Sequence, residues 1–147
     1  MPEGRLTLQI ITPDGAKPEV SVDFVVLPGA DGYIGILPQH IRLVTALRAG
    51  ILSYRRAGED PSAPKVVVAV SGGFAEVSED VITVLADSAE YAEQVDVERA
   101  RKALRRAEER LSVDTTDSVD AARARAALER AVARLRAAGE DEPRGDD

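Results

Sequence analysis

Few residues in this chain are equipped for covalent chemistry, and their spacing argues against it. The one histidine, His40, lies in LPQHIRL after a proline and between apolar segments, where a structural or interface role suits it better than proton transfer. There is no cysteine, which excludes a thiolate nucleophile, a thiolate metal site and a disulfide within the chain, and one histidine leaves no His pair for a metal. Acid pairs such as Glu79-Asp80 and Glu108-Glu109 are adjacent in sequence, so on a strand or helix their side chains diverge and read as solvated charge. Ser71-Gly72-Gly73 falls between two strand-like runs and is expected to be a hairpin turn rather than a phosphate cradle, and no G-x-x-x-x-G-K-[ST] loop occurs. These residues predict a protein that is not an enzyme and requires no cofactor. Its capacity for recognition lies in charge: a basic stretch over 96–138 follows an acidic remainder, and reads either as two solvated helix faces or as a surface for an acidic partner.

The composition narrows the partners. The 147 residues carry 19 basic and 26 acidic side chains, a formal charge of -7. Net negative charge and an aromatic content of only 3% fit poorly with nucleic acid, which needs positive surface to displace counterions and rings on which to stack bases. The N-terminal stretch MPEGRLTLQIITPDG lacks the basic-then-apolar order of a signal peptide. The longest apolar run, VVVAV at 66–70, is far short of the ~20 residues that span a bilayer. Any membrane association is expected to come through a partner.

Two periodicities divide the chain. Up to about Ala86 it reads as short strands separated by turns: LTLQIIT ends at Pro13-Asp14-Gly15, and EVSVDFVVL alternates with Val20, Val22, Phe24 and Val26 on one face and stops at Pro28-Gly29. KVVVAV, FAEV and VITVL follow, the last two divided by Ser78-Glu79-Asp80. Strands at this spacing predict an antiparallel sandwich or barrel. Beyond Ala86 the period becomes helical: Asp96 is placed as an N-cap before Val97, Ala100, Leu104, Ala107 and Leu111. Polar Ser112 to Ser118 interrupts, and Ala121, Ala124, Leu128, Ala131, Leu135 and Ala138 resume the pattern until Gly139. The reading is an α+β chain in two parts: a β-sandwich over 1–90, an antiparallel helical hairpin over 91–139, and a disordered acidic tail over 140–147. Charge divides with the period, since residues 1–95 carry -6, 96–138 carry +3 and the tail carries -4. The alanine-rich seam predicts stable helices that pack weakly on each other, an arm able to leave its dock and bind elsewhere.

Leu27 to Leu47, LPGADGYIGILPQHIRLVTAL, resembles the signature region of the epsilon subunit of F-type ATP synthases. The resemblance continues in order through the opening L-x-L-x-I-x-T-P-D-G, AGIL, VAVSGGFAEV, VLADSAE and VDVERA, spanning about residues 4 to 138. It implies a sandwich of two five-stranded sheets followed by the helical hairpin, in a non-catalytic subunit of the rotating central stalk that binds the gamma subunit and rests on the c-ring. It implies coupling of proton flow to ATP synthesis, with the hairpin inhibiting hydrolysis when it extends among the alpha and beta subunits. The arginines Arg123, Arg125, Arg130, Arg134 and Arg136 would then meet an acidic loop of beta. Asp31, Gly32, Tyr33, Gly35, His40 and Leu43 are carried over as the rim facing the c-ring and the foot of gamma. Tyr33 stands where many relatives have Glu, and turn geometry alone is the competing explanation for the glycines. Some relatives bind regulatory ATP on the folded hairpin through Ile or Leu followed by Asp-x-x-Arg-Ala. Here Val95-Asp96-Val97-Glu98-Arg99-Ala100 departs only at Val95, with Glu90 five residues ahead of it. Glu90, Asp96, Arg99, Ala100, Arg106, Arg130 and Arg134 are therefore the ATP-site candidates, the carboxylates accepting from adenine or ribose and the arginines meeting phosphates. The implied location is the cytoplasmic face of a bacterial cell membrane, reached through the complex. The reading from another class is a free-standing adaptor whose basic hairpin recruits an acidic protein.

Overall fold

The computed structural model describes residues 5–112 and 118–139. The tail 140–147 and residues 113–117 of the connector lie outside these. Eight strands are followed by two helices: β1 Leu6–Thr12, β2 Gly15–Ala16, β3 Val20–Gly29, β4 Gly32–Ile36, β5 Leu43–Arg56, β6 Val66–Ser78, β7 Val81–Ala86, β8 Ala89–Tyr91, α1 Val97–Ser112 and α2 Ser118–Ala137. A short 3-10 turn, Ala92–Gln94, leads into the helices.

The expected sandwich and hairpin are present, and the layers of the sandwich share strands. β1, β7, β6, β5 and β3 pair in that order, and β1 also pairs with β3, so the sheet closes on itself. Closure leaves an unpaired edge only on the short strands β2, β4 and β8, which limits edge-to-edge aggregation. One pairing, β1 with β7, is parallel, and the others are antiparallel. Inside lies one largely aliphatic core built from Leu6, Leu8, Ile10, Val22, Val25, Leu27, Ile36, Leu52, Val68, Val70, Ile82 and Val84 with their buried neighbours, Tyr54 among them. Burial pushes the Tyr54 phenol up to about 12, aided by the charge of neighbouring Tyr91.

Two details correct the alternation read from sequence. In β3 the register against β5 shifts between Val22 and Phe24, so the buried set runs Val22, Val25, Leu27, and Phe24 turns outward. There its ring supports the Arg55 and Lys65 cations at 4.9 and 5.1 Å. A second shift, between Val26 and Gly29, lets β3 run on through Pro28, which has no N–H to donate to a ladder.

Ser71-Gly72-Gly73 is not a hairpin turn. It lies inside β6, where Gly72 and Gly73 have φ of 96° and 119° and the strand bends instead of reversing. The first half of β6 pairs with β8 and buries Val68 and Val70, while the second half pairs with β7 and buries Ala75 and Val77. A Cβ on Gly73 would collide with the Leu85 carbonyl oxygen, so the bend requires glycine.

The helices begin and end on the expected residues. Asp96 Oδ1 accepts the Arg99 N–H at 3.1 Å as the α1 N-cap, and Gly139, with φ 79°, closes α2 by donating its N–H to the Arg136 carbonyl at 3.0 Å. Ala100, Leu104, Ala131 and Leu135 form the seam between the helices, joined by half-buried Val97, Ala103, Leu128 and Val132. Helix α2 also lies on β5 and β6, burying Ala133 and Ala137, whereas α1 packs on α2. This second apolar face of α2 was outside the single stripe read from sequence, although Ala126, Ala127, Val132 and Ala133 announce it.

Candidate functional site

The best-formed polar site lies where the chain passes from sheet to helix. The last strand supplies Glu90, the 3-10 turn supplies Gln94, the cap and first turn of α1 supply Asp96, Arg99 and Ala100, and α2 supplies Arg134. These six line a recess of ≈ 280 Å³. Arg134 Nε donates to Glu90 Oε1 at 2.9 Å, with each side chain about a third exposed, and so ties α2 to the end of the sandwich. Asp96 spends one oxygen on its helix, leaving the other free to accept, and Arg99 at the first turn of α1 adds positive charge to a helix N-terminus. The set can hold an anion with hydroxyl or amine groups nearby, provided that Arg134 exchanges the Glu90 carboxylate for the anion.

Five of the seven sequence candidates for this site, Glu90, Asp96, Arg99, Ala100 and Arg134, meet in the recess. Arg106 and Arg130 are exposed and are not among its lining residues; Arg106 Nε reaches back to the Lys102 carbonyl at 3.4 Å. Gln94 was not foreseen, because nothing in its sequence context marks an exposed glutamine in a linker. The five arginines of α2 do not make one patch. Arg123, Arg130 and Arg134 share a face at helical spacing, whereas Arg136 faces β5 with Tyr33, Arg48 and Glu129 around a second recess of ≈ 290 Å³. The longer cation row is on α1, where Arg99, Lys102, Arg106 and Arg110 follow at three- and four-residue intervals on its exposed side.

The rim candidates divide between the two ends of β4. Asp31 is exposed at the β3–β4 turn, which the Ala30 N–H pins to the Ala46 carbonyl at 2.9 Å, and Gly32 beside it has φ 139°. Tyr33 is half in solvent with Arg48 over its ring at 5.7 Å. Gly35 has neither positive φ nor a close neighbour, so turn geometry does not require glycine there. His40 belongs to the loop after β4, its Nδ1 2.7 Å from the Ile41 carbonyl. Leu43 is half-buried and packs against the core at the start of β5.

Sequence reasoning missed the apolar surface beside these residues. In the loop, Leu37 and Ile41 are 63% and 80% exposed. On the sheet, Ile11, Leu85, Phe74 and Ala46 are direct cross-strand partners on β1, β7, β6 and β5, and all four face solvent. With Val44 they form an apolar row across four strands, larger than the scattered exposure of an ordinary surface. A pattern of strands can reveal which residues alternate, but not which strands are neighbours, so the row was invisible before the pairing was known.

Among the described residues no three His, Asp or Glu side chains group to hold a metal ion, and no helix is long and apolar enough to cross a membrane. Residues 5–92 match the family model described as ATP synthase, Delta/Epsilon chain, beta-sandwich domain, and residues 93–139 match the corresponding long alpha-helix domain. The chain is 52% identical over 105 residues to an ATP synthase epsilon chain of Desulforamulus reducens, covering 71% of this chain and 76% of the relative. It is 50% identical over 110 residues to an ATP synthase epsilon chain of Nitratidesulfovibrio vulgaris, covering 75% and 78%. Among solved structures, it superposes with TM-score 0.78 and 26% identity on a chain of the Euglena gracilis mitochondrial ATP synthase, described as OSCP/F1/c-ring, covering 95% of this chain and 84% of that one. A chain from the Tetrahymena thermophila mitochondrial ATP synthase central stalk and c-ring, 16% identical with TM-score 0.59, shares the fold. A β-sandwich and a helical hairpin in this order, matched along nearly their whole length, place the chain in the ATP synthase delta/epsilon family.

Proposed function

We propose that this chain is the epsilon subunit of the ATP synthase central stalk, a part with no catalytic residues of its own that transmits rotation between the c-ring and gamma. The observation that carries the reading is the cross-strand apolar row Ile11–Leu85–Phe74–Ala46 in a chain of this family: it is a preformed face for a protein partner, and gamma is the one assigned to it. The β3–β4 turn with Asp31, Gly32 and Tyr33, and the loop with His40, are assigned to the c-ring rim. The complex would hold the subunit at the cytoplasmic face of a bacterial membrane.

The hairpin is assigned the regulatory half. Folded, it docks through α2; extended, it would expose the arginines of both helices to an acidic surface of beta and slow hydrolysis. The recess of Glu90, Gln94, Asp96, Arg99, Ala100 and Arg134 is assigned to regulatory ATP, which would bind only the folded hairpin because its walls come from both parts. Hydrolysis by the reconstituted catalytic complex, with the full chain and with one ending at Gln94, tests the brake: truncation should raise the rate several-fold while the subunit still binds, and an unchanged rate removes the inhibitory role. Calorimetry of the full chain with ATP and Mg tests the recess, and no heat up to millimolar ATP removes the nucleotide.

A further inference from the structure

Only three residues other than glycine have a left-handed backbone among those described: Gln39 with φ 66°, Glu79 with 50° and Asp80 with 62°. Side chains with a Cβ disfavour this conformation, and such residues persist where the surroundings over-determine them. Glu79 and Asp80 are the two central residues of the β6–β7 hairpin, a turn that takes positive φ at both, and Gln39 stands against them in one contact. Asp80 Oδ1 accepts the Gln39 N–H at 2.7 Å, and the Arg42 guanidinium meets the Glu79 carboxylate at 3.1 Å. The turn itself is fixed to β1, because the Asp80 carbonyl accepts the Thr7 N–H at 2.9 Å.

The two ties are unequal. The Arg42–Glu79 pair leaves its side chains 76% and 80% in solvent, where water and salt screen it. A carboxylate on a backbone N–H is short, charge-assisted and needs only one side chain to be ordered. The other hydrogen bonds of the loop, His40 N–H to the Leu37 carbonyl at 3.2 Å and His40 Nδ1 to the Ile41 carbonyl at 2.7 Å, stay within it. Gln39 is therefore the point at which the middle of the loop is fastened to the sandwich. Two residues on either side of it stand Leu37 and Ile41, the exposed large apolar side chains of the loop.

From this geometry we infer that Asp80 is a positioning residue: its carboxylate holds loop 37–42 so that Leu37 and Ile41 reach the rotor partner as a preformed pair. The inference rests on the reading of this loop as part of the c-ring rim. A preformed pair docks without having to order the loop first, which makes the joint stiff at the place where torque crosses it.

Asp80→Gly removes the acceptor while keeping a residue at ease with φ 62°, and Asp80→Asn keeps an acceptor oxygen. Hydrogen exchange on the full chain should show the Gln39 amide exchanging roughly 10- to 100-fold faster in Asp80→Gly, with Asp80→Asn between that variant and the parent and the amides of β5 and β6 unmoved in both. In the reconstituted synthase, Asp80→Gly should lower protons pumped per ATP hydrolysed, and Asp80→Asn, which keeps a neutral acceptor, should restore part of the loss. Unchanged Gln39 exchange in Asp80→Gly overturns the inference. So does faster exchange with unaltered pumping, if Leu37→Asp with Ile41→Asp abolishes pumping, because the rim is then used without the clasp. If that double variant also pumps normally, the assignment of the rim itself has failed and the inference falls with it.

Discussion

The sandwich and the hairpin bury their apolar surface in different materials. The sandwich core is Leu, Ile and Val from every long strand, with Leu27, Ile36, Leu52 and Ile82 wholly enclosed. The hairpin buries Ala100, Ala107, Ala124, Ala131, Ala133 and Ala137, with Leu104 and Leu135 as its only enclosed large side chains among the described residues. Each leucine replaced by alanine forgoes roughly 2 kcal/mol of transfer free energy at ~0.8 per buried carbon. Ala, Arg, Leu and Glu keep helix propensity high, so what alanine weakens first is docking rather than helicity. A closed barrel with large side chains suits a mount that must not deform. A helix held by methyl groups and by the Arg134–Glu90 pair, about a third exposed, suits an arm that can be released.

The difference can be broken most forcefully from the core. Leu52→Ala should cost the sandwich about 3 kcal/mol in denaturant unfolding, while the helical signal of the hairpin follows only when its dock unfolds. A loss below about 1 kcal/mol would mean that the core collapses around the cavity and the contrast is overstated.

Alkali separates the two parts by chemistry, since all three tyrosines belong to the sandwich. The Tyr54 phenol ionises near 10 when unfolded and is pushed up to about 12 by burial. The folded state thus holds its proton more tightly, so its stabilising effect is complete below pH 10 and is lost as the pH rises towards 12. The loss is of order 2 kcal/mol, and Tyr54→Phe should flatten that part of the stability–pH curve. A curve of the same slope in Tyr54→Phe would assign alkaline unfolding to another group.

On the hairpin side the effects are smaller and local. Asp96→Ala should cost about 1 kcal/mol of α1 stability, with Asp96→Asn retaining most of it, as circular dichroism of the helical transition would show. Smallest is Arg134→Gln, which removes a pair with both side chains 32% exposed and should loosen the hairpin by roughly 0.5 kcal/mol. Amide exchange in α2 should quicken while the sandwich stays unchanged; an equal change in both parts would mean that they move as one body.

Much of the fold was legible in the order of the residues. A period of 2 changing to 3.6 after Ala86, the Asp96 cap, the Gly139 stop and the Glu79-Asp80 turn were all local signals, and local signals survive in a sequence because neighbours along the chain are neighbours in space. The recess was partly legible through the resemblance to relatives with an Asp-x-x-Arg-Ala motif, and four of its residues, Glu90, Asp96, Arg99 and Ala100, lie within eleven residues of one another.

What was decided only in three dimensions depends on contacts between distant segments. The bulge that turns Phe24 outward is a register choice against β5, and the bend at Gly72-Gly73 exists because β6 must pair with β8 and then with β7. Arg134 rather than Arg130 meets Glu90 because the docking of α2 fixes its rotation. The apolar row across β1, β7, β6 and β5 requires a parallel pairing of strands seventy residues apart. Composition and periodicity settle which elements form and which surfaces are apolar; the pairing of remote backbone hydrogen bonds settles which of those surfaces add up to one face.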